Sequence, residues 1–385
     1  MDAFYRHFGN TDGVRCFFAP GRVNLIGEHT DYNGGHVFPC ALTLGTCAAV
    51  KKREDRILRF CSLNAAEESV ITSSLDEMHP LGDPEWPSYM KGVIWAFAKK
   101  GMLLDRGFDV VIYGDLPKGP GLSSSASLEV LTGYMLRELY RFAVTDTDLA
   151  RIGQEAENDY VGVNCGIMDQ FASAMGRENH AIFLDTSTLD YTYVPLNMDQ
   201  LVLIVTNTNK KHSLQESAYN DRRRECAQAL KILQQAEPVN SLGELTPDRF
   251  AALASRLSDP VLRKRAAHAV TENQRTIDAV KVLQEGRMDE FGKLMNASHV
   301  SLRDDYEVSC RELDILAETA WGVPGVLGSR MTGGGFGGCT VSLVEKSAVE
   351  AFCRIVGETY QSQVGYACSF YEVSAGNGPS ELSLS

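Results

Sequence analysis

The chain has 385 residues, 44% of them hydrophobic, and a formal net charge of −13 at pH 7. Its length allows two compact domains or one large one, and no apolar run is long enough to cross a bilayer. The acidic excess argues against nucleic acid and anionic membranes as partners, because both select clusters of Lys and Arg.

The first residues and the cysteines bear on the compartment. Met1–Asn10 lacks the basic start and apolar stretch of a signal peptide, so we expect a cytoplasmic protein. The ten cysteines are scattered, without a Cys-x-x-Cys pair. Reduced thiols are therefore expected and a zinc site is not.

Hydrophobic periodicity predicts a mixture of strands and helices in chain order. The predicted strands are Cys16–Phe18, His36–Lys51, Phe108–Tyr113 and Val341–Val344. The predicted helices are Ser125–Phe142, Asp148–Tyr160, Val261–Glu285 and Met288–Leu302, and Pro238–Pro260 is punctuated by loops. No internal repeat or low-complexity tract interrupts this pattern.

The first segment dense in functional side chains is Gly21–Gly35, where a short strand carrying Arg22 leads into a polar loop. Glu28, His29 and Asp31 fall within four residues of that loop. Such a loop can accept several hydroxyl hydrogen bonds at once, as an uncharged polyol such as a sugar requires. Solvated turn residues and a divalent-metal cluster are the competing interpretations.

The second segment, Gly119–Leu128, is a glycine-serine loop between the predicted strand Phe108–Tyr113 and a predicted helix. Glycines let backbone N–H groups approach a phosphate, and the helix start adds unsatisfied N–H groups and a positive dipole end. The Gly-Lys-Ser/Thr of the Walker pattern is absent. A tight turn followed by a serine N-cap is the alternative.

The third segment, Ser329–Thr340, has five glycines in six positions and then a predicted strand. Glycine at this density is entropically costly. A flexible linker would favour Ser and other polar residues over the Met, Phe and Cys found here. Close approach of the backbone to a ligand or to another strand is the better explanation.

Together these segments resemble the three motifs of the GHMP small-molecule kinases, and Gly21–Gly35 has the form found in galactokinases. Gly121–Ser127 and Thr332–Gly338 match the second and third motifs, and Cys165–Phe171 and Ser217–Arg223 also match galactokinases. The resemblance covers nearly the whole chain. It implies an α+β fold with a ribosomal-S5-domain-2-like domain over residues 1–176, a ferredoxin-like domain over residues 177–385, and an active site between them.

The resemblance implies transfer of a phosphoryl group from ATP to the anomeric hydroxyl of α-D-galactose, giving α-D-galactose 1-phosphate and ADP, the first committed step of galactose catabolism. Asp169 would accept the hydroxyl proton, and Arg22 would stabilise this carboxylate and the developing charge. Without the motif, a helix cap for Asp169 and a structural salt bridge for Arg22 would be the default interpretations. The implied sugar contacts are Glu28, His29, Asp31, Gly166 and Tyr219.

For the nucleotide, the family pattern implies phosphate contacts along the glycine-serine loop, adenine contact by Trp86, and Mg²⁺ at Ser125 and Glu157. The implied phosphate contacts are Gly119, Gly121, Leu122, Ser123, Ser124, Ser125, Ala126 and Ser127. A core or surface role for Trp86 is the alternative. Pro120 replaces the usual Gly or Ala and predicts a stiffer loop.

The sequence geometry does not choose between Glu155 and Glu157 as the metal ligand. If Leu149, Ile152, Ala156 and Tyr160 form the buried stripe of the helix, the two glutamates lie on opposite flanks. The choice of Glu157 is therefore only implied by the resemblance.

Two alternative functions stay open. One is a kinase of N-acetylgalactosamine or L-arabinose, although the form of His29–Gly35 favours galactose. The other is a non-catalytic sensor of sugar and ATP, and the intact Ser123–Ala126 argues against it. The family pattern leads us to expect a monomer with galactose and Mg-ATP as its ligands.

Overall fold

The structure, a computed structural model, describes residues 1–65, 67–80, 85–117, 121–210 and 215–383. The helices are α1 (Asp2–Phe8), α2 (Pro87–Lys99), α3 (Ser124–Tyr140), α4 (Asp146–Glu155), α5 (Met168–Ala174), α6 (Gln215–Leu233), α7 (Pro247–Leu253), α8 (Pro260–Gln284), α9 (Met288–Asp304), α10 (Arg311–Trp321) and α11 (Val349–Val364). The strands are β1 (Arg15–Asn24), β2 (His36–Val37), β3 (Pro39–Lys52), β4 (Ile57–Ser62), β5 (Val70–Ser74), β6 (Phe108–Gly114), β7 (His180–Asp185), β8 (Tyr191–Pro195), β9 (Leu201–Asn207), β10 (Val326–Thr332), β11 (Cys339–Glu345), β12 (Ser369–Val373) and β13 (Ser380–Leu382).

The predicted elements lie where the periodicity placed them, but one predicted strand and one predicted helix differ from the observed ones. The predicted strand His36–Lys51 is two strands, because Phe38 leaves the ladder and exchanges backbone hydrogen bonds with Leu25 and Ile26. The helix predicted from Asp148 begins earlier, where Thr145 and Asp148 form a capping box. The same helix ends in a π-helical turn rather than continuing as an α-helix.

A six-stranded sheet in the order β13-β1-β3-β6-β4-β5 forms the first layer of the molecule. Helices α2 to α5 cover one face of this sheet, because each presents an apolar stripe to it. The predicted stripe of α4 is confirmed, since Leu149, Ile152, Ala156 and Tyr160 are all buried. This packing sets the start of α3 and the start of α5 beside β1.

A four-stranded sheet in the order β10-β11-β9-β12 forms the second layer. Strand β9 is buried on both faces and alternates between two cores: Leu203 and Val205 face helices α8 and α9, whereas Val202 and Ile204 face α10 and α11. The mixed two-layer architecture agrees with the predicted α+β class.

The chain passes more than once between the parts built around the six-stranded and the four-stranded sheet. Strands β7 and β8 join β2 in a three-stranded sheet, and β13 pairs with β1 in the register Cys16 to Leu382. A domain boundary near Gly176 therefore stays a prediction about folding units. Among the described residues, no helix is long and apolar enough to cross a membrane.

Helix α9 packs directly on β10, and two glycines make this approach possible. A Cβ on Gly292 would overlap the carbonyl oxygen of Leu327, and one on Gly328 would overlap the carbonyl oxygen of Gly292. We expect Gly292→Ala to destabilise the protein by about 1–3 kcal/mol, because overpacking outweighs the higher helix propensity of Ala. Urea unfolding followed by circular dichroism measures this change.

Gly357 provides the matched control for that substitution, since it also lies inside a helix. The nearest atom to a Cβ on Gly357 is Phe370 Cε2 at 3.4 Å, which is an ordinary contact. Gly357→Ala should be neutral or stabilise by up to about 1 kcal/mol. Equal effects of the two substitutions would show that the α9–β10 approach is not tight.

Candidate active site

The centre of the site is a two-pronged ion pair between strand β1 and helix α5. Arg22 donates from Nε to Oδ1 of Asp169 at 2.7 Å and from Nη2 to Oδ2 at 2.8 Å. Nη1 of the same guanidinium donates to the carbonyl oxygen of Gly121 at 2.6 Å. Ser123 adds a further donor, from Oγ to Oδ2 of Asp169 at 2.5 Å. Three donors therefore fix the orientation of this carboxylate.

Glycines allow the strand and loops around this pair to meet. A Cβ on Gly21 would lie 2.5 Å from Leu116 Cδ2 and 2.6 Å from the carbonyl oxygen of Leu122. Gly121 has a φ of +135°, and its Cβ would lie 3.0 Å from Cys339 Sγ. Residues with side chains would push apart β1, the serine loop and β11.

The polar loop after β1 is tied to the glycine-rich turn after β10. Glu28 is 1% exposed, and its Oε1 accepts hydrogen bonds from the backbone N–H of Gly333 at 2.8 Å and from Thr332 Oγ1 at 3.1 Å. Arg330, fully buried, places Nη2 at 3.4 Å from the same oxygen. The first and third predicted segments thus form one wall.

His29 is held in a chain of polar side chains behind this wall. Its Nδ1 lies 2.7 Å from Tyr32 Oη, which lies 2.8 Å from Tyr306 Oη. Burial lowers the pKa of His29 to about 3, so the ring is neutral at physiological pH. A neutral ring leaves the loop's charge to its two carboxylates.

Asp31 and Gly166 meet at the opposite side of the cavity. A Cβ on Gly166 would overlap the Asp31 carboxylate, so only glycine allows this contact. Burial, and next the charge of Asp169, raise the pKa of Asp31 to about 6. The ring of Tyr219 lies 5.5 Å from that of Tyr32 and covers the cavity from helix α6.

These residues enclose a small polar cavity, which brings together all the sugar contacts implied by the resemblance. It is lined by Arg22, Glu28, His29, Asp31, Tyr32, Cys165, Gly166, Met168, Asp169, Tyr219, Gly333 and Gly334. Within the described ranges, no group of three or more His, Cys, Asp or Glu side chains is arranged to hold a metal ion. The polar side chains of the loop thus line one cavity together with Asp169.

A second cleft lies between the six-stranded sheet and the starts of α2 and α3. It is lined by Thr46, Ser62, Asn64, Trp86, Tyr89, Ile112, Gly114, Leu116, Pro117, Ser124, Ser125 and Leu128. Trp86 is half-buried there and packs edge-on against Phe60 at 6.2 Å. The Ser123 side chain makes no cap hydrogen bond to α3, since its hydroxyl is engaged by Asp169.

Not every residue of the serine loop faces this cleft. Leu122, Ala126 and Ser127 have buried side chains, and Ser127 Oγ donates to the carbonyl oxygen of Ala19 at 2.9 Å. The backbone N–H of Ser127 donates to the carbonyl of Ser123 within the helix turn. Gly119 and Pro120 lie outside the described residues.

The structure separates the two candidate metal ligands of α4 and its π-helical turn. Glu157 is 6% exposed and points inward, where its carboxylate accepts from Gln170 Nε2 at 2.6 Å and lies close enough to Ser125 for that hydroxyl to oppose the rise in its pKa. Glu155 points outward and pairs with Lys99 at 2.5 Å and Lys100 at 2.9 Å. Glu157 and Ser125 therefore adjoin each other, as the family pattern implies.

The inward glutamate sits in an acidic environment. Burial, and next the charge of Asp169, raise the pKa of Glu157 to about 7. The buried carboxylate of Glu157 and the hydroxyl of Ser125, close to the carboxylate of Asp169, are oxygen donors that suit Mg²⁺. This ion takes few protein ligands. The donor set at Ser125 and Glu157 therefore fits this ion.

Sequence reasoning missed several residues of the two sites. Tyr32 lies inside the first motif, whereas Tyr306 and Thr332 reach the same wall from distant parts of the chain. No spacing in the sequence could connect Tyr306 with Tyr32. Ser62, Asn64 and Tyr89 line the second cleft without any local motif.

Comparison with known proteins agrees with this geometry. The galactokinase galactose-binding signature matches residues 2–52, the GHMP kinases N terminal domain matches residues 88–177, and the GHMP kinases C terminal model matches residues 279–362. The galactokinase of Exiguobacterium sibiricum is 50% identical over 379 residues, which are 98% of this chain and 96% of that protein.

Solved structures give the same relationship. Lactococcus lactis galactokinase complexed with galactose has a TM-score of 0.97 and 47% identity, covering 99% of this chain and 98% of that one. Methanococcus jannaschii mevalonate kinase shares the fold, with a TM-score of 0.66 and 17% identity over 95% of this chain and 99% of that one. The chain belongs to the galactokinase family of GHMP kinases.

Proposed function

We propose that the protein transfers the γ-phosphoryl group of ATP to the anomeric hydroxyl of α-D-galactose, releasing α-D-galactose 1-phosphate and ADP. One observation carries this proposal. The carboxylate of Asp169 lines the polar cavity and accepts a hydrogen bond from Ser123, which directly precedes Ser124 and Ser125 in the lining of the second cleft. A sugar hydroxyl in the cavity and a phosphate at the serine loop would therefore meet at Asp169. The related galactokinase that binds galactose supports this choice of sugar.

Asp169 acts in this proposal as the base for the hydroxyl, and Arg22 as its charged partner. Aspartate is a weak base for an alcohol, so its contribution comes from correct placement and from proton transfer late in the reaction. The hydrogen bonds from Arg22 and Ser123 supply that placement. Arg22 also places a fixed positive charge where the phosphoryl oxygens gain negative charge.

The cavity side chains supply sugar specificity in the same proposal. Asp31, Glu28 and Tyr219 offer acceptors and a donor to hydroxyl groups, and Gly166 allows the Asp31 carboxylate to lie at the wall of the cavity. An epimer that leaves one of these buried groups unpaired loses about 1–3 kcal/mol of binding. His29 and Tyr32 hold the wall in place through their hydrogen-bonded chain.

The second cleft binds the nucleotide in this proposal, with Trp86 beside the adenine and the first N–H groups of α3 toward the phosphates. Gly121–Ser127 is the described part of the phosphate loop, and its Ser124 and Ser125 line the cleft. Ser125 and Glu157 would hold Mg²⁺. When bound, Mg²⁺ neutralises charge on the β- and γ-phosphate oxygens.

The first test is release of ADP with Mg-ATP and a panel of galactose, glucose, N-acetylgalactosamine and L-arabinose. We expect turnover selective for galactose, and we expect Asp169→Asn to lower kcat by about 10²–10⁴-fold, the usual contribution of a general base. Galactose affinity, measured by calorimetry, should change far less than kcat. Asp185→Asn is the control, because the Asp185 side chain accepts hydrogen bonds from Ser187 at the end of β7 and is not among the described residues lining the cavity or the cleft.

Selective turnover of another sugar in the panel would replace the proposed substrate, and binding of sugar and ATP without ADP release would contradict phosphoryl transfer. An Asp169→Asn variant with wild-type kcat would remove the proposed base.

Gly166→Ala tests the contact between Gly166 and Asp31. The added methyl group overlaps the Asp31 carboxylate and must displace it from the cavity. We expect the KM for galactose to rise at least about tenfold, which corresponds to the loss of one charge-assisted hydrogen bond. The KM for ATP should stay unchanged, because the second cleft does not include either residue. Equal losses for both substrates would indicate general unfolding instead.

The pKa of Asp31, about 6, predicts the pH dependence of sugar binding without nucleotide. Above this pKa the carboxylate is ionised and accepts hydroxyl hydrogen bonds, so galactose affinity should be constant above about pH 7 and fall by up to about tenfold per pH unit below pH 6. His29 and His268, with pKa values of about 3 and 4, stay neutral across this window. Calorimetry from pH 5 to 8 measures the profile, and Asp31→Asn should flatten it.

A further inference from the structure

Gln170 follows the proposed catalytic aspartate on helix α5 and is completely buried. Its Nε2 donates to Oε2 of Glu157 at 2.6 Å and to Oε2 of Glu129 at 2.9 Å. One side-chain amide thus bridges two carboxyl groups.

The second carboxyl group comes from the helix that begins with the serine loop. Glu129 lies four residues after Ser125 on α3, so the two side chains share one face of that helix. Glu157 lies beside Ser125, and through Gln170 it is connected to Glu129 on the same helix. The bridge therefore joins α3, α5 and the π-helical turn after α4.

A glycine makes space for the bridge. A Cβ on Gly153 of α4 would lie 3.0 Å from Gln170 Cγ and 3.4 Å from Glu129 Cβ. The first distance is tighter than ordinary packing, so a side chain at residue 153 would displace Gln170. The absence of a side chain there lets α4 approach the two residues closely.

The buried polar groups of this bridge reduce the stability of the fold. Within the described part of the chain, Gln170 Oε1 and Glu129 Oε1 have no hydrogen-bond donor although both are buried. Each such oxygen costs about 1–3 kcal/mol, whereas apolar side chains of the same size would carry no such cost. We therefore infer that Gln170 and Glu129 serve a function other than stability. The atom that Gln170 holds is Oε2 of Glu157.

We propose that Gln170 is a positioning residue for the divalent cation: its amide holds Glu157 beside Ser125 and is itself held by Glu129. This inference rests on the proposed function, in which Ser125 and Glu157 bind Mg²⁺. Gln170 is not among the described residues that line the sugar cavity or the nucleotide cleft, although its Nε2 lies 3.7 Å from Sγ of Cys165, which lines the cavity. Its shortest hydrogen bond is to Glu157, and we expect it to act on the cation through that carboxylate.

The test compares Gln170→Met, which keeps the length of the side chain and removes the donor, with Ser173→Ala on the same helix. Ser173 is equally buried, but its hydroxyl donates to the carbonyl oxygen of Pro20 rather than to a carboxylate. Mn²⁺ serves as the probe, and its affinity for the ADP-saturated protein is measured by electron paramagnetic resonance. Galactose affinity, melting temperature and galactose turnover are measured on the same samples.

We expect Gln170→Met to weaken Mn²⁺ binding by about 10–100-fold, the usual effect of losing a residue that orients a metal ligand. Galactose affinity should be unchanged, and Ser173→Ala should bind Mn²⁺ as the wild type does. Glu129→Gln should also keep wild-type Mn²⁺ affinity, because its amide oxygen can still accept from Gln170. Glu129→Leu removes that acceptor and should weaken Mn²⁺ binding in the same direction as Gln170→Met.

Wild-type Mn²⁺ affinity in Gln170→Met would overturn the inference, as would a parallel loss of galactose affinity, which would indicate a purely structural role. If Gln170→Met does not fold, Glu129→Leu decides in its place, and unchanged Mn²⁺ affinity there overturns the inference. Failure of the wild type to bind Mn²⁺ would remove both the proposed cation site and this inference. Absence of galactose turnover with Mn²⁺ binding intact would count against the proposed function alone.

Discussion

The ion pair between Arg22 and Asp169 is the constraint on which the rest of the site depends. Arg22 is 4% exposed and the Asp169 side chain is 29% exposed, so loss of the carboxylate would leave a buried positive charge without this partner. The pair joins β1 to α5 across 147 residues of sequence. Once the two elements are fixed in this way, the serine loop and the glycine-rich turn can reach them only through glycine backbone, as at Gly21 and Gly121.

Acidic groups are crowded around this pair, and their mutual repulsion shapes both halves of the site. Burial, and next the charge of Asp169, raise the pKa of Asp31 on the side of the cavity and that of Glu157 on the side of the cleft. In the proposed function, a neutral polyol would stabilise the first group by donating hydroxyl hydrogen bonds, and a cation would stabilise the second by its charge. Asp169 would then adjoin two ligands of different chemistry.

Much of this arrangement could be predicted from sequence, because it depends on local patterns. The strand, turn and helix around Gly121 and the polar loop around Asp31 are encoded by neighbouring residues, and the family resemblance assigned their ligands. Contacts made across the fold could not be predicted. The inward turn of Glu157 needs a π-helical turn, which has no reliable sequence signal, and Tyr306 reaches His29's chain of hydroxyl groups only after helices α8 and α9 have packed.

The pairing of β13 with β1 has a consequence for the order in which the protein is made. The strand that carries Arg22 has its outer edge covered by residues 380–382, and Arg15 is bonded to Glu381 at 2.7 Å. During synthesis on the ribosome, that edge stays uncovered until nearly the whole chain has emerged, although β1 is among the first segments made. An uncovered strand edge can pair with other chains. Until β13 pairs with it, the nascent protein therefore presents an open strand edge on the element that carries Arg22.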